Sequence, residues 1–391
     1  MRIPRRHALL GTIAMLTTPA HAQSDRAAAW LQAWDSQGPH RTATPGDEAG
    51  ADWLAAEAAA IAGTDPSLEN FDLARLDPML AYVEIDGVRI PGEQLYDAPD
   101  TPFGGIHGLA AGPEQAGNIA VMALPPTAVY GPDFAKLRRE SLHRVHIIIT
   151  QGGAPGLAMF NAESFRAPYG PACLQLPSTA AADVLAAAGR GASLRAVVRS
   201  RRTPALASNV VLTLPGRNRT APKTVVMTPR SSWWTSTAER GGGLVCWLET
   251  LRALRANPPA GDVLFTANSG HELGQHGLDD FLARRPGWEK SATWIHYGAN
   301  IGAAGGSLTV QSPADDLRAL ATPLAATLAD KSELPRGETR DIHRAGGRYL
   351  TLIGTNSLFH LPQDRLPHAV DLPAITRIAG VMAQAVVALT R

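Results

Sequence analysis

Two imidazoles flank a carboxylate in Gly270-His271-Glu272-Leu273-Gly274-Gln275-His276. A pair of histidines one helical turn apart, with a glutamate between them, holds zinc and supplies a base in helical metallopeptidases. His271 and His276 are five residues apart, about 500° of helical rotation, so they would lie on different faces of a helix. What survives is an acid and a histidine directly after Asp262-Val263-Leu264-Phe265-Thr266, an apolar run that suits a buried strand. Open α/β sheets place their ligands beyond the carboxyl ends of such strands. Glu239 precedes Gly241-Gly242-Gly243 at what reads as a helix start, where an acid meets the positive end of the helix dipole with or without a metal. His360, beside Phe359 and Pro362, suits a ligand or a hydrogen-bonded core histidine equally. Trp233-Trp234 suits a substrate wall or ordinary packing.

The elements that would carry these residues read as strand, helix, strand. Asn209-Val210-Val211-Leu212-Thr213-Leu214 and Thr224-Val225-Val226-Met227 suit buried strands, and Leu244 to Leu254 has apolar residues at helical spacing before the 262–266 strand. That order predicts an α/β fold with a mixed, mostly parallel sheet flanked by helices. Ala49 to Ala62 predicts a helix that Asp47 can cap, and Leu372 to Leu389 predicts a closing helix. From about Ala81 the texture changes. Tyr82-Val83-Glu84-Ile85, Ile119-Ala120-Val121-Met122, His146 to Thr150 and Leu194 to Val198 are short β-type runs between Gly and Pro, which predicts a small β-rich inserted domain over 80–205. The remainder, 23–79 and 206–391, forms the α/β domain.

The chain has 391 residues, 45% hydrophobic and 18% charged, which supports one large core and a smaller one and argues against disorder. With 36 basic and 35 acidic residues and no basic stripe, it offers no electrostatic footprint for nucleic acid. Arg2, Arg5, Arg6 and His7, the apolar run Ala8 to Leu16, and Ala20-His21-Ala22 form the pattern of an export signal over 1–22, with mature protein from Gln23. Arg5-Arg6-His7-Ala8-Leu9-Leu10 matches the twin-arginine variant of that signal and predicts a periplasmic or secreted protein. The apolar run is far short of the roughly 20 residues that span a bilayer, and no membrane span is expected. Cys173 and Cys246 fall in different expected domains and read as unpaired apolar side chains.

The order of these features resembles the dizinc aminopeptidase family, which includes bacterial leucyl aminopeptidases, glutaminyl cyclases and the transferrin-receptor ectodomain. The resemblance runs over nearly the whole mature chain, and residues 80–205 resemble the protease-associated domain inserted in many of its members. It implies one zinc on Glu239, Glu272 and His360, with Asp364 following at the family's spacing. His271 falls at the general-base position. The second metal site is degenerate: Arg230 stands at its histidine, Ser232 at the companion aspartate and Gly298 at the later aspartate. The resemblance implies hydrolysis of a peptide or small amide with one zinc, with Arg230 supplying counter-charge to Glu239 and Glu272 and steadying an oxyanion. The loss of ligands equally suits a pseudo-peptidase that binds a ligand or a protein through the same cleft.

Overall fold

A computed structural model describes residues 20–218 and 220–391. Residues 1–19 of the expected export signal lie outside them, and Ala20 opens a helix, Ala20–Ser36, whose Ala27, Trp30, Leu31 and Trp34 are buried. The strands Lys223–Pro229, Val263–Asn268, Ala292–Tyr297 and Arg348–Gly354 run parallel to one another, with Lys223–Pro229 between Val263–Asn268 and Ala292–Tyr297. Leu308–Gln311 adds an antiparallel edge beside Arg348–Gly354, and Ser193–Leu214 pairs antiparallel with Val263–Asn268 on the other side. The sheet is therefore mixed and mostly parallel in its centre, flanked by helices as expected. Strands buried on both faces read as continuous apolar runs, which is why Val225-Val226-Met227 and Val263-Leu264-Phe265 were legible.

Pro45–Ala62, Thr237–Ala256 and Leu372–Leu389 cover one face, with Ala20–Ser36 packed on the last two. Pro45 starts the first, because its fixed φ suits a helix and its missing N–H costs nothing there, and Gly63 ends it in the left-handed region at φ 73. Asp47 is the third residue of this helix, within its first turn, with Thr44 rather than Asp47 at the cap, and it accepts from Ala43 N at 2.8 Å. Gly242 and Gly243 lie within Thr237–Ala256 although glycine weakens a helix by about 1 kcal/mol. A Cβ on Gly242 would stand 1.8 Å from Ile301 O, and one on Gly243 2.7 Å from Thr228 Oγ1, so the glycines let this helix press on the strand ends. Leu372–Leu389 is long and apolar enough to cross a membrane by length and composition. Ile375, Ile378, Met382 and Val386 along it are buried in the core against Thr237–Ala256.

Two long strands, Ser67–Ile85 and Ser193–Leu214, pair antiparallel over almost their whole length and carry the chain out of this body and back. Between them, Ile119–Leu124, Val145–Thr150 and Ala172–Leu176 form a parallel set with its own apolar core. This region is less purely β than its sequence suggests, since it also holds the helices Pro132–Glu140 and Ala181–Gly189. Both cysteines are free and buried, and burial pushes the Cys173 thiol up to about 12.

Candidate functional site

The carboxyl ends of the parallel strands gather the residues singled out above. Arg230 follows Lys223–Pro229, His271 and Glu272 follow Val263–Asn268, Gly298 follows Ala292–Tyr297, and His360 lies beyond Arg348–Gly354. Glu239 enters from the first turn of Thr237–Ala256. Asp364 anchors that turn from a distance. Its two oxygens accept from Ala238 N at 2.7 Å and Glu239 N at 3.0 Å, which satisfies two of the unpaired donors of a helix start. Asp364 is thus a cap for the helix that carries Glu239. Burial pushes its carboxyl up to about 7, against the pull of these N–H groups.

Glu239 and His360 meet: His360 Nε2 lies 3.4 Å from Glu239 Oε1. The His360 ring is fixed because its Nδ1 donates to Met159 O at 2.5 Å, and the residue itself sits at φ 60. A third group has joined them. Arg240 Nη2 lies 2.8 Å from Glu239 Oε1, with both side chains fully buried. Burial alone would raise the Glu239 carboxyl, but Arg240 first and then His360 overcome it and hold the group down at about 2.

Glu272 is engaged elsewhere. Its Oε1 accepts from Thr42 N at 2.9 Å and Thr42 Oγ1 at 2.6 Å, and its Oε2 from Ser231 Oγ at 2.6 Å. Arg230 also departs from expectation. Its Nη1 donates to Asp47 Oδ1 and Asp47 O, and its Nη2 to Ser208 O, so its charge is spent on the helix Pro45–Ala62 and not on Glu239 or Glu272. His271 Nδ1 lies 2.6 Å from Glu338 Oε1, and His296 Nε2 lies 2.9 Å from Glu338 Oε2. The two histidines hold the Glu338 carboxyl well below the usual carboxylate range in spite of its burial. Sequence reading missed Glu338, His296 and Arg240 as members of the site. Only Arg240, adjacent to Glu239 at a helix start, carried a signal, in that neighbouring acid and base.

Zinc asks for three protein donors plus a water, or four protein donors. Glu239 and His360 supply two buried donors that face each other, and both Glu239 oxygens and His360 Nε2 lack an aligned hydrogen bond, as a cation site would require. Arg240 already brings a positive charge to that carboxylate, and the oxygens of Glu272 are taken. Gly298 adds nothing: a Cβ there would lie 2.9 Å from Leu352 O and 3.0 Å from His296 Cε1, so no ligand side chain fits. Among the described residues no three His, Cys, Asp or Glu side chains gather to hold a metal ion. The donor set does not fit zinc. The centre is also closed. Met159 N donates to His360 O, Ala162 N to Glu272 O and Trp233 Nε1 to Asn161 Oδ1, so the segment 157–165 lies directly across it, and Glu239, Glu272 and His360 are at most 1% exposed.

This sheet, with its strand-end loops and its excursion over 86–192, has the zinc-aminopeptidase fold. The zinc aminopeptidase BSAP of Bacillus subtilis superposes with a TM-score of 0.76 at 15% identity, covering 94% of this chain and 95% of that one. A peptidase M28 precursor from Shewanella amazonensis SB2B gives 0.70 at 15% identity, covering 93% and 96%. The aminopeptidase of Aneurinibacillus sp. strain AM-1 gives 0.66 at 15%, covering 94% and 93%. No protein-family profile matches the sequence, and no curated protein matches it. The likeness is one of fold.

Proposed function

We propose that this chain is a peptidase-like protein that binds a peptide or a related small amide without zinc chemistry. One observation carries the reading: the Arg240 guanidinium stands 2.8 Å from Glu239 in a fully buried centre, where a peptidase of this fold would need a free carboxylate beside His360. A planar cation that never deprotonates takes over the counter-charge and leaves no open coordination position. The export pattern at Arg5-Arg6 supports, in the same reading, a location in the periplasm or outside the cell. Protein purified from the periplasm without added zinc should carry much less than one zinc per chain and should not release the chromophore of aminoacyl anilides. One zinc per chain with steady turnover would reverse the reading.

A second reading, hydrolysis, is favoured by His271. Glu338 orients its ring from the Nδ1 side, and its side chain retains 10% exposure while its neighbours are sealed. Nε2 would take a proton from a water as its oxygen attacks the amide carbon, Glu338 would hold the imidazolium that forms, and that imidazolium would return the proton to the amine nitrogen as the C–N bond of the tetrahedral intermediate breaks. Turnover that survives chelation and is lost in His271→Ala would support it.

A further inference from the structure

Beside the closed centre a cleft of about 470 Å³ is lined by the 37–46 segment, Trp233 and Trp234, and Glu93, Tyr96 and Met159. Both indole N–H groups are already used, Trp233 on Asn161 Oδ1 and Trp234 on His360 O, so what the rings add to the lining is apolar surface. Trp233 stands edge-on to Tyr96 with ring centroids 4.8 Å apart, which braces that wall. Two charges share the lining. Arg41 is held in place by Leu76 O at 2.6 Å and Tyr96 Oη at 3.2 Å, while Asp77 lies 3.8 Å from its Nη2, beyond hydrogen-bond reach. Glu93 keeps one carboxylate oxygen buried without a hydrogen-bond partner.

We propose that this cleft binds a zwitterionic amino acid with an aromatic or long apolar side chain, its ammonium group on Glu93, its carboxylate on Arg41 and its side chain against Trp233 and Trp234. A lone cation would be repelled by Arg41 and a lone anion by Glu93. A ligand that carries both charges answers each of them. Burial pushes the Glu93 carboxyl up, opposed by Arg41, and an arriving ammonium would bring it back towards the charged form.

The inference rests on the reading of the chain as a binding protein and names the ligand and the place. Its test is titration of the full mature chain with L-phenylalanine, N-acetyl-L-phenylalanine and L-phenylalanine amide, followed by tryptophan fluorescence and calorimetry. The free amino acid should bind, and removing either charge should weaken binding by about tenfold or more, roughly the worth of one charge-assisted contact. Glu93→Gln and Arg41→Gln should each weaken phenylalanine binding to a similar degree, with unchanged thermal midpoints showing that the variants are folded. Equal binding of all three compounds would overturn the proposal. Phenylalanine binding that neither substitution alters would overturn the cleft assignment and leave the binding-protein reading standing. No binding of amino acids or of short peptides at millimolar concentration would sink both.

Discussion

The strand-end centre and the cleft beside it treat charge in opposite ways. In the centre every strong charge has found a partner within the chain: Arg230 with Asp47, Arg240 with Glu239, His271 and His296 with Glu338, and Glu272 with three hydrogen-bond donors. In the cleft Glu93 and Arg41 line open volume and are only partly satisfied. A buried charge must be neutralised by something, and a fold whose relatives use metal ions can do it with guanidinium groups at the cost of an open coordination site. On the proposed reading, the Arg240 guanidinium in place of a metal ion gives that region a structural role. Charges that could meet a ligand have to be sought where open volume remains, as at Glu93 and Arg41.

That contrast predicts its largest effect at Arg230. Arg230→Met leaves the buried Asp47 carboxyl without its guanidinium partner, which should cost about 3–5 kcal/mol in urea denaturation. Glu93→Gln, at the cleft, should change stability by less than about 0.5 kcal/mol. The double variant Arg230→Met with Asp47→Leu should recover much of the loss, because it removes both charges together. Similar stabilities for the Arg230 and Glu93 variants would erase the distinction between the two regions.

The next effect is smaller and depends on pH. Glu239 has a folded value of about 2 against an ordinary value of 4.5, so its ionisation stabilises the fold above about 4.5 and that contribution is lost as pH falls through about 2. The difference amounts to about 3 kcal/mol at neutral pH. Glu239→Gln should flatten the acid side of the stability profile over that window, while Glu93→Gln leaves it steep. An acid limb that stays equally steep in Glu239→Gln would place the ion pair elsewhere.

Asp364 should act with the opposite sign and a smaller substitution effect. Its folded value is raised to about 7 from 3.8, so its contribution is complete below about 3.8 and is lost as pH rises through 7. Asp364→Asn keeps an acceptor for only one of Ala238 N and Glu239 N and turns its amide NH2 towards the other, and should cost about 1–2 kcal/mol near neutral pH. It should also remove the decline in stability between pH 4 and 7. Retention of that decline in the variant would assign it to another group.

Much of the scaffold was legible because its strands and helices bury whole faces. Val263-Leu264-Phe265, Leu244 to Leu254 and Leu372 to Leu389 each announce themselves by apolar spacing. The order of motifs also brought Glu239 and His360 to one place, since both depend on strand ends that the fold fixes. Their chemical state was another matter. That Arg240 turns onto Glu239, that Arg230 turns away towards Asp47, and that Glu338 joins His271 from 67 residues away are outcomes of tertiary packing, with no periodicity to betray them. Asp364 looked like part of a ligand motif because a capping aspartate and a metal-orienting one have the same type and spacing. The helices Pro132–Glu140 and Ala181–Gly189 were hidden among strand-like runs for a similar reason: helices this short are set by their neighbours more than by their own sequence.

The smallest expected effect is the one that weighs most on the comparison. A zinc ion bound only by the folded chain would stabilise it by RT ln(1 + [L]/Kd), about 2.7 kcal/mol when zinc stands at a hundred times its dissociation constant. Such a gain would appear as a shift of several degrees in the thermal midpoint, and a chelator would abolish it. With Arg240 already against Glu239, and Glu272 held by Thr42 and Ser231, neither dialysis against a chelator nor added micromolar zinc should move the midpoint by more than about one degree. The sharper form of the experiment uses Arg240→Met. Removing the guanidinium frees the Glu239 carboxylate beside His360 and should cost several kcal/mol in metal-free buffer, about 3–5 by the reasoning used for Arg230. If the guanidinium stands in for a metal ion, zinc should now restore part of that loss, and parent protein should still ignore it. Zinc that stabilises the parent as strongly as the variant would show that the arginine and the metal do not compete, and the centre would then have to be regarded as a working metal site.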